Sequence, residues 1–303
     1  MSVDEAVVTP DVIVPDPRQV ESREPVRRRR SVDPWSWLTI PGLLLLLGFF
    51  GSALVFVVHR SLTDPGPANY DKIATSFYVD IFVSTFRAGL IVMLVVLLMG
   101  YAFAYAMRVG PRPLRMALIV VLVIQFSTSW LARAYAWQQL LQTNGIINKA
   151  LRGAGVIDTP LKLMRNDLGM VIGTSHVLMP FMILTLYANM RQVDLATMVA
   201  AQSLGARRSQ AFFRVFVPAT RTGIAAGCGL VFVLTLGFYI TPALLGDPSR
   251  QMISAVIVRR ATQFGDFGVA SALSAVLLVV TLLGLALTAV AIGRLGRMKG
   301  NTQ

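Results

Sequence analysis

The sequence predicts an all-α fold, a polytopic membrane helical bundle with six transmembrane helices, and three observations carry that expectation. First, hydrophobic residues make up 55% of the 303-residue chain and charged residues only 14%, against roughly 25% charged in soluble domains. Second, the charges are segregated. They leave the runs Pro34–Val58, Ala88–Met107, Met116–Ala132, Thr222–Gly246 and Phe267–Gly293 uncharged, and Leu168–Met190 is broken only by His176. A helix crossing the hydrocarbon core needs about 20 apolar residues, because each rises about 1.5 Å. Third, Lys and Arg are unevenly placed. With the N-terminus inside, six spans put the N-terminal tail, Arg108–Arg115, Arg191–Arg221 and the C-terminus on the inner side, and these segments hold most of the 28 Lys and Arg. An inner excess of short-loop Lys and Arg sets orientation, so both termini are expected to be cytoplasmic. Topology thereby accounts for the net charge of +13, and no nucleic-acid partner is implied.

Residues 1–33 carry Asp, Glu, Pro and Arg with no apolar stretch. They predict a disordered basic cytoplasmic tail rather than a signal peptide. Arg27–Arg30 offers a contact to anionic membrane lipid, or simply anchors the orientation of the first span. That span is expected over 34–60, opening on the interfacial pair Trp35 and Trp37 and ending at His59–Arg60. Thr63-Asp-Pro-Gly-Pro67 opens an extracytoplasmic loop over 61–81. The core, 82–294, holds the other five helices, with Asp80 and Arg87 bracketing the approach to the second span. Gly110-Pro-Arg-Pro113 is a short inner turn, so spans two and three are antiparallel neighbours.

Span three is short, and extends into the neutral stretch Tyr135–Trp137. Gln138–Asp167 is too polar to cross. Within it Ile146, Ile147, Ala150, Leu151 and Ala154 recur at helical spacing, with Gly155 as the stop. This reads as a short amphipathic helix on the outer surface, and Asp158-Thr-Pro160 as the start of another short element. Residues 295–303 form a second cytoplasmic tail.

Several chemistries have no residues to carry them. There is no G-x-x-x-x-G-K-[ST] phosphate loop, so the chain does not hydrolyse ATP alone. His59 and His176 are far apart and lack a Cys or carboxylate cluster, which argues against a metal site. No G-x-S-x-G elbow and no paired carboxylates lie within a span. An enzyme is not expected. Cys228 lies in an apolar span and reads as a small core thiol. Ionisable groups inside a membrane are costly and kept for function. Only His176 qualifies, either as a hydrogen-bonded interhelical histidine or as a substrate contact.

Between spans four and five the inner loop, 191–221, contains D-L-A-T-M-V-A-A-Q-S-L-G-A-R-R-S-Q-A-F-F-R-V-F-V-P over 194–218. Asp194 is a good N-cap for a helix running to about Ser203, and Gly205 suits the left-handed position that ends it. A second helix is expected from near Arg207, stopping before Pro218. Leu195, Met198, Val199 and Gln202 form one stripe, Ala200, Ala201 and Ala206 keep part of the surface small, and Phe212, Phe213, Val215 and Phe216 form a broad apolar face. Two readings stand at this point: a docking element for a partner, or an interfacial helix pair packed under its own bundle.

The loop resembles the coupling motif of ABC importer permeases, E-A-A followed by G and later F and P. Ala200, Ala201, Leu204, Gly205, Ala206, Gln210, Phe212, Arg214 and Pro218 match at the family's spacing. Val199 departs from it, standing where the family usually has glutamate. Gly100-Tyr-Ala-Phe-Ala-Tyr105 resembles the family's second core span. Leu131-Ala-Arg-Ala-Tyr-Ala-Trp137, Gly155-Val-Ile-Asp-Thr-Pro160, Leu178-Met-Pro-Phe181, Gly237-Phe-Tyr-Ile-Thr-Pro242 and Gly246-Asp-Pro are similar to the spermidine/putrescine permease group.

The resemblance implies the type I importer permease fold in a bacterial inner membrane. It implies a second permease subunit, as a heterodimer, with a cytoplasmic ABC ATPase dimer and an extracytoplasmic solute-binding protein. ATP and Mg would belong to the ATPase, and this chain would bind no cofactor. Asp194, Val199 and the matched residues of the loop would meet the ATPase. The solute would be small and polar: polyamine-like or related, such as opine- or amino-acid-like.

Candidate path residues are Gln125, Ser127, Thr128, Trp130, Tyr135 and Tyr239, which place polar or aromatic groups in or near spans. Serine and threonine in spans also bond within the bundle, and edge Trp or Tyr also serve as belt anchors. Arg133 either orients a carboxylate or phosphonate or snorkels to the outer surface. A cationic polyamine favours acidic lining, and no span contains a carboxylate. The competing function is a membrane scaffold or receptor whose inner loop binds another cytoplasmic partner.

Overall fold

A computed structural model describes residues 39–64 and 66–300, with side chains to 286. The chain forms two units, Met1–Ser52 and Ala53–Gln303, and helix α1 (Thr39–Thr63) runs across their boundary. In the first unit the described residues form one apolar helical stretch with its side chains exposed, Leu44 and Phe49 among them. The tail, Arg27–Arg30, Trp35 and Trp37 lie outside the described residues.

The second unit continues through α2 (Ala68–Ile73), α3 (Ser76–Val109), α4 (Arg112–Ser127), α5 (Trp130–Leu141), α6 (Ile146–Gly153) and α7 (Asp167–Met190). It then runs through α8 (Ala196–Ser203), α9 (Arg208–Ala211), a π-helical turn Phe212–Phe216, α10 (Val217–Ala219), α11 (Arg221–Gly237), α12 (Ile240–Leu245), α13 (Ile253–Thr262) and α14 (Phe267–Gly300). Among the described residues, α1, α3, α7 and Phe267–Ala286 of α14 are each long and apolar enough to cross a membrane. Two bent pairs raise the count to 6 when each is taken as one span: α4 with Trp130–Gly153, bent by 101°, and Arg208–Ala219 with α11, bent by 64°.

The core is built where α3, α7 and α11 pack together. Val92, Val96 and Met107 of α3 meet Leu178, Met182, Ile183 and Leu186 of α7 and Val231 of α11, all buried. Small residues let membrane helices approach closely, and a side chain at Gly227 of α11 would lie 2.6 Å from the Met182 sulfur. Cys228 packs at the margin of this core. A second cluster joins Ile73, Tyr78, Ile253, Val256, Val269 and Leu273, from α2, α3, α13 and α14. There α14 begins against the chain that follows α1: a Cβ at Gly268 would stand 1.6 Å from the Asp64 carbonyl oxygen.

Several expected boundaries are corrected. The segment 61–81 is not one loop, because α2 lies within it and α3 already starts at Ser76. Asp80 and Arg87 are therefore inside α3, whose 34 residues extend well beyond the hydrocarbon core at about 1.5 Å each. Span three does not continue to Trp137. It breaks at Thr128, whose backbone is extended, and at Ser129, whose ψ of 136° is also non-helical, and the Thr128 hydroxyl bonds back to the Ile124 carbonyl at 2.8 Å, a local bond that competes with helix continuation. Span five likewise stops at Gly237, with Phe238 extended and the short α12 following.

Ile146–Gly153 forms the expected short helix, and Gly155 is left-handed at φ 70°. No element starts at Asp158-Thr-Pro160; the chain stays irregular until Asn166, whose side chain accepts from the Gly169 N–H at 2.8 Å and caps α7. At the other end α14 continues through the presumed tail to Gly300.

Candidate functional site

The 194–218 loop folds as its caps dictate. The Asp194 carboxylate accepts from the Ala196 N–H at 2.9 Å, satisfying a donor that the first turn of α8 cannot pair internally. Gly205 closes the turn at φ 90°, a conformation that is costly for any residue with a Cβ. The second helix begins where the Gln210 side chain accepts from the Arg207 N–H at 3.0 Å.

Pro218 does not stop that helix, which continues to Ala219. In a regular helix the proline ring would crowd the carbonyl four residues back. The π turn over Phe212–Phe216 widens the chain immediately ahead of it. Proline is thereby tolerated, and the turn re-aims the aromatic face.

The loop is tied to the bundle by rings and by a guanidinium. Tyr105 of α3 packs edge-on against Phe212 at 4.9 Å and Phe216 at 5.2 Å. Tyr101, one turn earlier, meets Phe212 at 6.0 Å, and its hydroxyl lies 2.9 Å from that of Thr220. Arg108 donates to the carbonyls of Met190 at 3.1 Å and Val193 at 3.3 Å. The Met190 carbonyl, which also accepts from the Val193 N–H at 3.3 Å, closes α7, and Val193 follows in the turn beyond it; a cation at that end is further favoured by the helix dipole.

The predicted stripe splits in two. Leu195 and Met198 turn toward the core, whereas Val199 is 62% exposed. Leu204 is 89% and Phe213 67% exposed, and Ala200 and Gly205 are exposed beside them. Ala201 and Ala206 are half-buried. The outward face of the loop thus carries an apolar patch of Val199, Leu204 and Phe213 bordered by exposed Arg207, Arg208 and Arg214, on a base that the bundle holds from inside. Tyr101, Tyr105, Arg108 and Thr220, which make that base, were not singled out from the sequence.

The path candidates separate into two groups. Gln125 and Arg133 attend to α7. Pro180 interrupts that helix and leaves the His176 carbonyl without its helical donor. The Gln125 amide supplies the bond instead, at 2.7 Å. Arg133 is buried, 6% exposed, and donates to the next carbonyl, that of Val177, at 3.4 Å. It does not snorkel. His176 is half-buried, edge-on to Trp137 at 5.6 Å, with no hydrogen bond to its Nδ1.

Ser127, Thr128, Trp130, Tyr135 and Tyr239 are exposed. Trp130 meets Phe238 at 5.8 Å, so the break after α4 and the break after α11 lie together. Tyr239 also lines a cavity of about 280 Å³ with Asp247, Gln251 and Arg259. Hydrogen bonds from the Ser249 hydroxyl and backbone N–H, at 2.7 and 2.8 Å, hold the Asp247 carboxyl below the usual carboxylate range. The cavity thus brings a carboxylate, a guanidinium and an aromatic ring together.

Residues 114–295 match the family model described as binding-protein-dependent transport system inner membrane component. The chain is 33% identical over 251 residues to the spermidine/putrescine transport system permease protein PotB of Escherichia coli K12, covering 80% of this chain and 91% of that one. It is 27% identical over 232 residues to the inner membrane ABC transporter permease protein YdcU of the same organism, covering 73% and 71%. Among solved structures, a chain of a bacterial ABC transporter involved in the import of the acidic polysaccharide alginate superposes with a TM-score of 0.68 at 18% identity, covering 86% of this chain and 94% of that one.

Proposed function

The chain belongs to the family of binding-protein-dependent transport system inner membrane components, a multi-pass inner-membrane permease of an ABC importer, and from this we propose how it works and what it carries. The 194–218 loop docks on a separate cytoplasmic ATPase, which binds ATP and Mg. A second permease subunit completes the pathway, and an extracytoplasmic solute-binding protein delivers the solute. ATP-driven closure of the ATPase pair moves the loop as a lever, and the spans alternate between outward- and inward-facing states.

One observation carries the docking assignment: the loop is anchored from beneath by Tyr101, Tyr105 and Arg108 while Val199, Leu204 and Phe213 are left exposed. An interfacial pair packed under its own bundle would bury that face. Because Val199 supplies no carboxylate, docking rests on apolar shape. The solute is polyamine-like, in line with the similarity to the spermidine/putrescine permease. The juxtaposition of Asp247 and Tyr239 in one cavity suits an ammonium group.

The test is uptake of labelled putrescine by the reconstituted importer. Gly205→Val adds Cβ strain of about 1–2 kcal/mol at a left-handed position and is expected to abolish uptake while the chain still inserts. Val199→Glu is expected to retain uptake. Full uptake by Gly205→Val, or mild-detergent purification without any ATPase, would remove the docking role.

A further inference from the structure

Two cavities meet at the end of the bundle opposite the 194–218 loop. The first, about 470 Å³, is lined by Asp80, Ser84 and Arg87 of α3, Asp167 of α7 and Arg250 ahead of α13. The second, about 560 Å³, is an apolar groove lined by Phe82, Phe86 and Leu90 of α3 and by Val276 and Val280 of α14. Val83 and Arg87 line both. A charged chamber and a greasy groove between two helices therefore adjoin at Val83 and Arg87.

Its level in the bundle follows from the charges. Arg87 stands immediately before the uncharged run Ala88–Met107, and Asp167 immediately before the run that opens α7. Such a run spans the hydrocarbon core, about 30 Å thick. At the far end of these helices Arg108 is bonded to the last residue of α7. Arg87 and Asp167 thus sit together where acyl chains give way to headgroups, and the groove straddles that level, with Phe82 and Phe86 on the headgroup side and Leu90, Val276 and Val280 within the uncharged runs.

The chamber's own pairing is loose. One Asp167 oxygen is shared by Arg87 at 4.0 Å and Arg250 at 3.7 Å, and the three side chains are 51–69% exposed. Exposed pairs of that length contribute little. Asp80 makes no ion pair among the described residues. Two guanidiniums and two carboxylates give the chamber no net charge, but a seat for each sign. A phosphate accepts from guanidinium groups more strongly than a shared, distant carboxylate oxygen does, and an ammonium would answer Asp80. A soluble zwitterion would fill the chamber and leave the groove bare, with Leu90 48% and Val280 41% exposed. A lipid fills both.

We propose that these joined cavities bind a zwitterionic, amine-bearing phospholipid of the phosphatidylethanolamine class. Its phosphate lies between Arg87 and Arg250, its ammonium lies at Asp80, and one acyl chain follows the α3–α14 groove.

Native mass spectrometry of the full chain, purified in mild detergent and exposed to phosphatidylethanolamine or phosphatidylglycerol, tests this. Circular dichroism checks that each variant stays helical. Wild type is expected to retain the ethanolamine lipid preferentially. Arg87→Gln with Arg250→Gln should weaken retention by about tenfold or more, because two charge-assisted contacts are lost. Asp80→Asn should erase the preference between the two lipids, and Val280→Trp, which fills the groove away from the charges, should weaken retention of both. Equal retention of the two lipids by wild type, or unchanged retention by the arginine variant, would overturn the site.

Competition by phosphoethanolamine at concentrations matching the lipid would assign the chamber to a soluble zwitterion. A cross-link from Val280→Cys to the second permease in the assembled transporter would assign the groove to protein. Either result removes the lipid. The readout is lipid and not uptake, so it stands or falls separately from the importer assignment.

Discussion

The loop end of the bundle is fastened by rings and directed hydrogen bonds, whereas the opposite end of α3 and α7 is joined by long, solvated ion pairs. Around the loop, Phe216 is fully buried, two tyrosines of α3 enclose Phe212, and Arg108 closes the end of α7 at 3.1 Å. Around Asp167 the two pairs measure 3.7 and 4.0 Å and every partner is at least half exposed. Buried aromatic contacts hold a fixed geometry, whereas exposed ion pairs exchange partners at little cost. One end is held in a fixed geometry, and the other is only loosely joined.

The sharpest test of this contrast is Phe216→Ala. It empties a site with no solvent exposure and should cost about 3–5 kcal/mol, read as a large fall in the thermal unfolding midpoint of the purified chain. An unchanged midpoint would break the comparison at its strongest point. Arg108→Met comes next. It leaves the Val193 carbonyl without its donor and the Met190 carbonyl with only the Val193 N–H, and should cost about 2 kcal/mol, with faster amide exchange across 191–206 as the specific sign. Asp167→Asn should cost less than about 1 kcal/mol, because both its pairs are exposed. A loss matching that of Arg108→Met would make the two ends equivalent.

The parts of this architecture governed by local rules were legible in the residues. Uncharged runs of sufficient length located the spans, Asp194 and Gly205 marked the ends of α8, and Gly155 marked the end of α6. The break at Thr128–Ser129 carries neither glycine nor proline and could not be told from continuing helix, whereas the break at Phe238 follows Gly237, a stop signal that the length of the uncharged run overrode. Pro218 misled in the other direction, because a π turn is a response to neighbouring packing and leaves no local signature. The anchoring of the loop was hidden for a different reason. Tyr101 and Phe212 are far apart in sequence, and only the packing of α3 beside α7 brings their rings together. Asn166 was readable in principle: an Asn three residues ahead of Gly169 is an ordinary helix cap.

The bond from Gln125 to the His176 carbonyl has a mechanical meaning. Proline removes one hydrogen bond from α7 at Pro180, and the missing donor is lent by another helix, α4. In hydrocarbon a carbonyl stripped of its donor costs several kcal/mol. Pulling α4 away from α7 would carry that penalty in full, while swinging the two together would carry none. Displacement of either helix is therefore cheapest when α4 and α7 move as partners, and relative motion costs least between helices that share no such bond.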